Sequence, residues 1–161
     1  MKRFFIFSSV LAMLVAGTLG RVFAESHRVK SSRLPDGART FVAAHFPKNE
    51  IVSAEQSAGL FTTSYEVELR DGTEIDFDNG EWRDIKCRRG VSVPTSVLPS
   101  KIAEYLHSNY PGGVIYKVER DRRGYEIEMS NGAELTFDRH GELVGTNDYT
   151  KHRPDQRFPM R

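Results

Sequence analysis

Seven carboxylates recur at alternate positions of matching segments. Glu66 and Glu68 lie in Tyr-Glu-Val-Glu-Leu and Glu74 and Asp76 in Glu-Ile-Asp-Phe-Asp; Glu126 and Glu128 then lie in Tyr-Glu-Ile-Glu-Met, and Glu134 follows Gly132 as Glu74 follows Gly72. Alternation in a strand puts such residues on one face. Two carboxylates about 5 Å apart repel by about 0.8 kcal/mol in water and about 3 kcal/mol at an effective dielectric of 20. The crowding is therefore either a hydrated face relieved by Arg70, Lys86, Lys117 and salt, or a site for a basic protein patch, a peptide or a hard cation. Trp82 joins this face as an apolar anchor if Ile85 and Cys87 point to the core, because Trp82, Asp84 and Lys86 then alternate outward. A bulge permitted by Gly80 would instead pack the indole.

Other chemistry finds no support in the sequence. Gly-x-Ser-x-Gly, His-Glu-x-x-His, Cys-x-x-Cys and a phosphate-binding glycine loop are all missing, and the five His residues have no metal-site spacing. Asp76, Asp78 and Gly80 resemble part of a calcium loop, but Ile75 occupies the first liganding position. No catalytic residue, metal-ligand set or cofactor is assigned, and a non-enzymatic protein is expected. Cross-strand carboxylates collecting calcium weakly remain the alternative.

The elements that carry these residues come in duplicate. Leu34-Pro35 returns as Leu98-Pro99 and Phe46-Pro47 as Tyr110-Pro111, 64 residues later, whereas Tyr65 to Leu69 returns as Tyr125 to Met129 after 60, so an intervening loop is four residues longer in the first copy. Ala38, Phe41, Val42 and Phe46, and likewise Ile102, Tyr105, Leu106 and Tyr110, have helical spacing. Pro35 and Pro99 suit a first turn, and Pro47 and Pro111 disfavour continuation. Strands are expected at Ile51 to Gln56, Phe61 to Arg70, Thr73 to Phe77 and Trp82 to Cys87. In the second copy they fall at Val114 to Arg120, Gly124 to Ser130, Ala133 to Phe137 and, more weakly, near Leu143.

Side-chain parity fixes the turns. Directly opposed residues share a face, so Leu69 must oppose Thr73 or another odd-numbered neighbour; the preferred turn is a three-residue Arg70-Asp71-Gly72 loop with Gly72 left-handed, and Ser130-Asn131-Gly132 should match it. Glu68 then opposes Glu74, Glu66 opposes Asp76 and Glu128 opposes Glu134.

One such unit buries about four large side chains at ~1.5–3 kcal/mol each, which barely offsets its ordering entropy. The expected architecture is therefore α+β: two tandem helix-plus-four-strand repeats forming an antiparallel sheet, helices on one face and the other face open. The organisation is residues 1–24 as an export signal cleaved after Ala24, 25–33 as linker, 34–90 and 91–148 as repeats, and 149–161 as a basic tail. The signal has a basic start and a 16-residue apolar run too short for a retained span. Its removal changes 23 basic residues to 20 against 22 acidic ones, giving a charge of −2 and arguing against nucleic acid as a partner. Cys87 is alone, so no internal disulfide forms; a buried thiol and a bridge between chains both stay open. In the tail, Lys151, Arg153, Arg157 and Arg161 against Asp155 fit either a disordered terminus or contact with anionic envelope surfaces.

Leu-Pro, a short helix ending in Phe-Pro or Tyr-Pro, Tyr-Glu-Val-Glu-Leu, Asp-Gly, Phe-Asp and Gly-Glu-Trp, taken together, resemble the PepSY-like, β-lactamase-inhibitor-protein-like family of secreted bacterial proteins over residues 34 to about 144. The resemblance implies tandem helix-plus-sheet repeats and a periplasmic or cell-surface location. The inhibitor that names the family grips its enzyme with the open sheet face; this chain lacks that protein's disulfides, so β-lactamase inhibition is not implied. The expected function is an exported binding module, an inhibitor or sensor of an envelope protein, with the acidic face and Trp82 contacting a protein or peptide and no membrane span after cleavage. The alternative is a calcium-binding or structural envelope protein.

Overall fold

A computed structural model describes residues 26–148; the expected export signal and the basic tail lie outside the described residues. Nine strands form one antiparallel sheet in chain order: β1 (Ser26–Arg28), β2 (Ile51–Ala58), β3 (Thr63–Leu69), β4 (Glu74–Asp78), β5 (Glu81–Lys86), β6 (Ile115–Arg120), β7 (Gly124–Met129), β8 (Glu134–Asp138) and β9 (Leu143–Asn147). Helix α1 (Asp36–His45) precedes β2, and α2 (Ser100–Asn109) precedes β6. The fold is α+β.

Each helix follows a proline. Pro35 and Pro99 stand at the N-caps, just outside the first turns expected for them, where their fixed φ and missing amide cost nothing. Ala38 and Val42, and Ile102 and Leu106, are buried. Phe41 packs edge-on against Phe77 at 5.8 Å between centroids, and Tyr105 against Phe137 at 5.4 Å. Both helices thus lie over the apolar side of the sheet. The backbone turns away where the amides of Phe46 and Tyr110 close the last turns on Val42 and Leu106, each at 2.8 Å.

Opposed residues across the strands form one apolar row, Ala54, Val67, Ile75, Ile85, Val118, Ile127 and Leu135, none more than 2% exposed. That row is the centre of the core. The β3–β4 turn has the three-residue form: the Leu69 amide donates to the Thr73 carbonyl and the Gly72 amide to the Leu69 carbonyl, both at 2.8 Å. Gly72 sits at φ +81° and its counterpart Gly132 at +86°, a region costly for residues with a Cβ.

Three expectations need correction. Residues 25–33, read as linker, contain β1 and a 3-10 turn at Ser31–Arg33, because the backbone of β1 pairs with the edge of β2. β2 continues to Ala58, and β3 begins at Thr63, which leaves Phe61 in the connecting turn. β5 is bulged: Asp76 opposes Asp84 but Phe77 opposes Trp82, so Arg83 is an extra residue and the parity of Trp82 reverses. Cys87 is a buried free thiol beside the Thr73 hydroxyl at 3.6 Å; burial pushes its pKa up.

Candidate functional site

One residue along from the apolar row, and on the opposite face, runs a row of charge. Glu55 on β2 opposes Glu66 on β3, which opposes Asp76 on β4, then Asp84 on β5, Glu119 on β6 and Glu126 on β7. Six consecutive strands each contribute a carboxylate. Alternation produces this directly, because the register that buries every apolar residue of one row projects its neighbours outward together.

The expected acidic residues fall here. Glu66, Glu68, Glu74 and Asp76 are exposed on β3 and β4; Glu126 is exposed on β7, with Glu128 and Glu134 half-buried beside it. The opposed pairs are those parity gave: Glu66 with Asp76, Glu68 with Glu74, and Glu128 with Glu134. Trp82 does not belong to the face. Its ring is 7% exposed, stacks on Phe41 at 5.7 Å and receives the Arg120 guanidinium at 4.8 Å, all because the extra residue Arg83 turns it to the helix side.

Glu55 and Glu119 were not singled out as members of the site, and Lys117 was expected only as one of several cations relieving it. Glu55 aligns with Glu66 only beyond a bulge at Val52, and Glu119 reaches Asp84 through the β5–β6 pairing, which no short turn fixes. Lys117 is the central cation: its Nζ lies 2.9 Å from Asp84 Oδ2 and 3.2 Å from Glu119 Oε2. Lys86 reaches Glu74 less closely, at 3.7 Å. Relief is thus concentrated at the middle of the row.

The first half is left with the greater strain. Loss of hydration where its carboxylate packs against neighbouring side chains, then the charges of Asp84, Glu66, Glu74 and Asp78, push the Asp76 pKa up to about 6. Partial burial and then Glu55, Glu74 and Glu68 raise that of Glu66. Burial also raises Asp84 despite Lys117, and burial followed by Glu119 and Asp121 raises Glu126. In the second half Thr136 stands opposite Glu126, where Asp76 stands opposite Glu66. The carboxylates form a line rather than a cage, and among the described residues no group of three or more His, Cys, Asp or Glu is arranged to hold a metal ion. Such a surface suits an extended cationic partner.

The fold and this face define an α+β protein built on an antiparallel sheet with one face covered by helices. Residues 63–145 match the family described as "Putative beta-lactamase-inhibitor-like, PepSY-like", and the chain belongs to that family. A Bacteroides vulgatus structure described as a "putative periplasmic protein from DUF2874 family" is 33% identical, with 77% of this chain and 98% of that one covered and a TM-score of 0.70. A second B. vulgatus structure, described as a "putative periplasmic protein of unknown function", is 36% identical over 77% of this chain and all of its own, also at 0.70. A Bacteroides thetaiotaomicron structure described as a "putative calcium-regulated periplasmic protein" is 31% identical over 76% and 97%, at 0.71. No curated protein matches the chain. Among the described residues no helix is long and apolar enough to cross a membrane.

Proposed function

We propose that this protein is an exported, non-enzymatic binding module of the cell envelope that takes a basic protein or peptide on its open acidic face, acting as an inhibitor or sensor of that partner. The observation that carries this is the row of six directly opposed carboxylates from Glu55 to Glu126, which costs stability unless a cationic partner repays it. The periplasmic descriptions of its structural relatives and the signal-like residues 1–24 support an envelope location. On this reading residues 34–90 and 91–148 are two copies of one unit, supported by bulges at matching places, Val52 and Tyr116 near the start of each meander.

A second reading, calcium binding, is favoured by the description of the B. thetaiotaomicron relative, with Glu66 and Asp76 as the cross-strand pair offered to the ion. One set of proteins separates the two. Wild type and the Glu68→Gln/Glu128→Gln variant are used for capture from envelope extract, the captured protein is identified, and its affinity is measured by calorimetry with and without calcium. The binding-module reading expects affinity to fall at least tenfold in the variant and with added salt. Undiminished affinity for the variant rejects it. A rise in melting temperature with millimolar calcium, abolished by Asp76→Asn, would instead support the ion.

A further inference from the structure

The most exposed large apolar side chains among the described residues are adjacent: Leu60 is 88% and Phe61 94% exposed. They form the tip of the β2–β3 hairpin. The corresponding β6–β7 hairpin turns immediately after Arg120 opposes Tyr125, whereas β2 and β3 continue past Gln56 and Tyr65 for two more pairs, Ser57 with Ser64 and Ala58 with Thr63. The four extra residues build this projection. Its base is held, since the Gly59 amide donates to the Thr62 carbonyl at 2.8 Å, the Thr63 amide to Asn79 Oδ1 at 3.0 Å and the Asn79 amide to the Thr63 carbonyl at 2.8 Å.

Turn centres favour Gly, Asn, Asp, Pro and Ser, and two large apolar residues there break a local rule without any compensating packing. Such breaks fall at functional places, and contiguous exposed apolar surface marks contact sites. Going back from the tip along the open face come Ser57 and Ser64, the latter donating to Asp78 Oδ1 at 2.7 Å, and then Glu55 and Glu66. At about 3.3 Å per residue the carboxylate row begins about 13 Å from the tip.

We propose that the Leu60–Phe61 tip and the Glu55–Glu66–Asp76 part of the carboxylate row form one docking surface, fitted to a folded protein that presents an apolar pocket beside a basic patch. The proposal rests on the open face being the binding face, and it gives Phe61 the anchoring role that Trp82, packed in the core, cannot fill. An aromatic anchor in a pocket supplies most of the affinity of such an interface, and the charges supply its orientation and association rate. An anionic lipid surface is the poorer occupant, because tip insertion would bring the carboxylates against negative headgroups. A second copy of this chain is disfavoured in the same way, by two acidic faces meeting.

The test places p-benzoylphenylalanine at position 61 of the full chain, irradiates cells of the source bacterium and identifies the adduct by mass spectrometry. The adduct protein is then purified, and its affinity for wild type, Phe61→Ser and Glu66→Gln/Asp76→Asn is measured by calorimetry over a range of salt. A protein adduct is expected. Phe61→Ser should weaken binding at least tenfold at every salt concentration while melting as wild type does. Glu66→Gln/Asp76→Asn should weaken it at least tenfold at low salt and less at high salt. A lipid adduct, an adduct only with a second copy of the chain, or none overturns the proposal. Loss of affinity in the carboxylate variant but not in Phe61→Ser overturns the tip and leaves the acidic face standing. The converse overturns the combined surface together with the open-face reading beneath it.

Discussion

Asp76 concentrates the chemistry of the face, because four carboxylates surround it while Lys117 serves Asp84 and Glu119 instead. With its pKa raised from 3.8 to about 6 in the folded protein, its charge disfavours folding above that value. As pH falls from 7.5 toward 4, the folded state takes up this proton before the unfolded state does, so this group makes the protein more stable. Melting curves should therefore rise in midpoint between pH 7.5 and 5. Asp76→Asn should raise stability at pH 7.5 by about 1 kcal/mol once solvent screening of this accessible group is allowed for, and should reduce the pH dependence; an unchanged slope would show that Asp76 titrates normally. The acid pairs around it were legible in the sequence, since putting Tyr65, Val67 and Leu69 on one face with Thr73, Ile75 and Phe77 requires odd-numbered residues to oppose each other, and the tightest such turn sets Leu69 against Thr73. The indole of Trp82 was not, because Glu-Trp-Arg-Asp-Ile carries no mark of which residue the bulge will leave unpaired.

Among the elements, the two β-turns ending in glycine set the register of everything on the open face. Gly132 has nothing within 4 Å of where a Cβ would stand, while at Gly72 the Cβ would run into the Arg88 side chain. Gly132→Ala should thus report the left-handed backbone alone, costing about 1–2 kcal/mol, and Gly72→Ala should cost more because Arg88 must also move. Urea denaturation of both variants checks the order, and equal losses would mean that Arg88 yields freely. These turns could be deduced because a two-residue loop would have set Leu69 against Glu74. The β2–β3 hairpin was legible only as a length difference of four residues. Phe61 reads as a strand residue by type, and nothing local announces that the chain reverses beneath it.

Across the whole molecule, the two halves meet through β5 and β6, where Ile85 opposes Val118 and Lys86 opposes Lys117. The core is continuous through that seam. Separate chains of residues 25–90 and 91–161 should consequently be mostly unfolded by circular dichroism; two halves that each melt cooperatively on their own would show that the seam adds little. That one sheet would run through both halves followed from the small core that either half could bury alone. The facing of Asp84 and Glu119 did not follow, because a connection containing α2 leaves the register to packing rather than to turn geometry.

The carboxylate row also has a metric. Strands lie about 4.8 Å apart, whereas same-side residues of an extended peptide repeat at about 6.8 Å. A cationic strand laid along the row therefore meets it as one scale of a vernier meets the other, with charges in step only at long intervals. No single alignment is much better than its neighbours, so such a ligand could slide across the face, held by its density of charge rather than by its sequence. Any fixed address must come from a feature that breaks the periodicity, and the only large aromatic ring standing clear of the sheet among the described residues is that of Phe61.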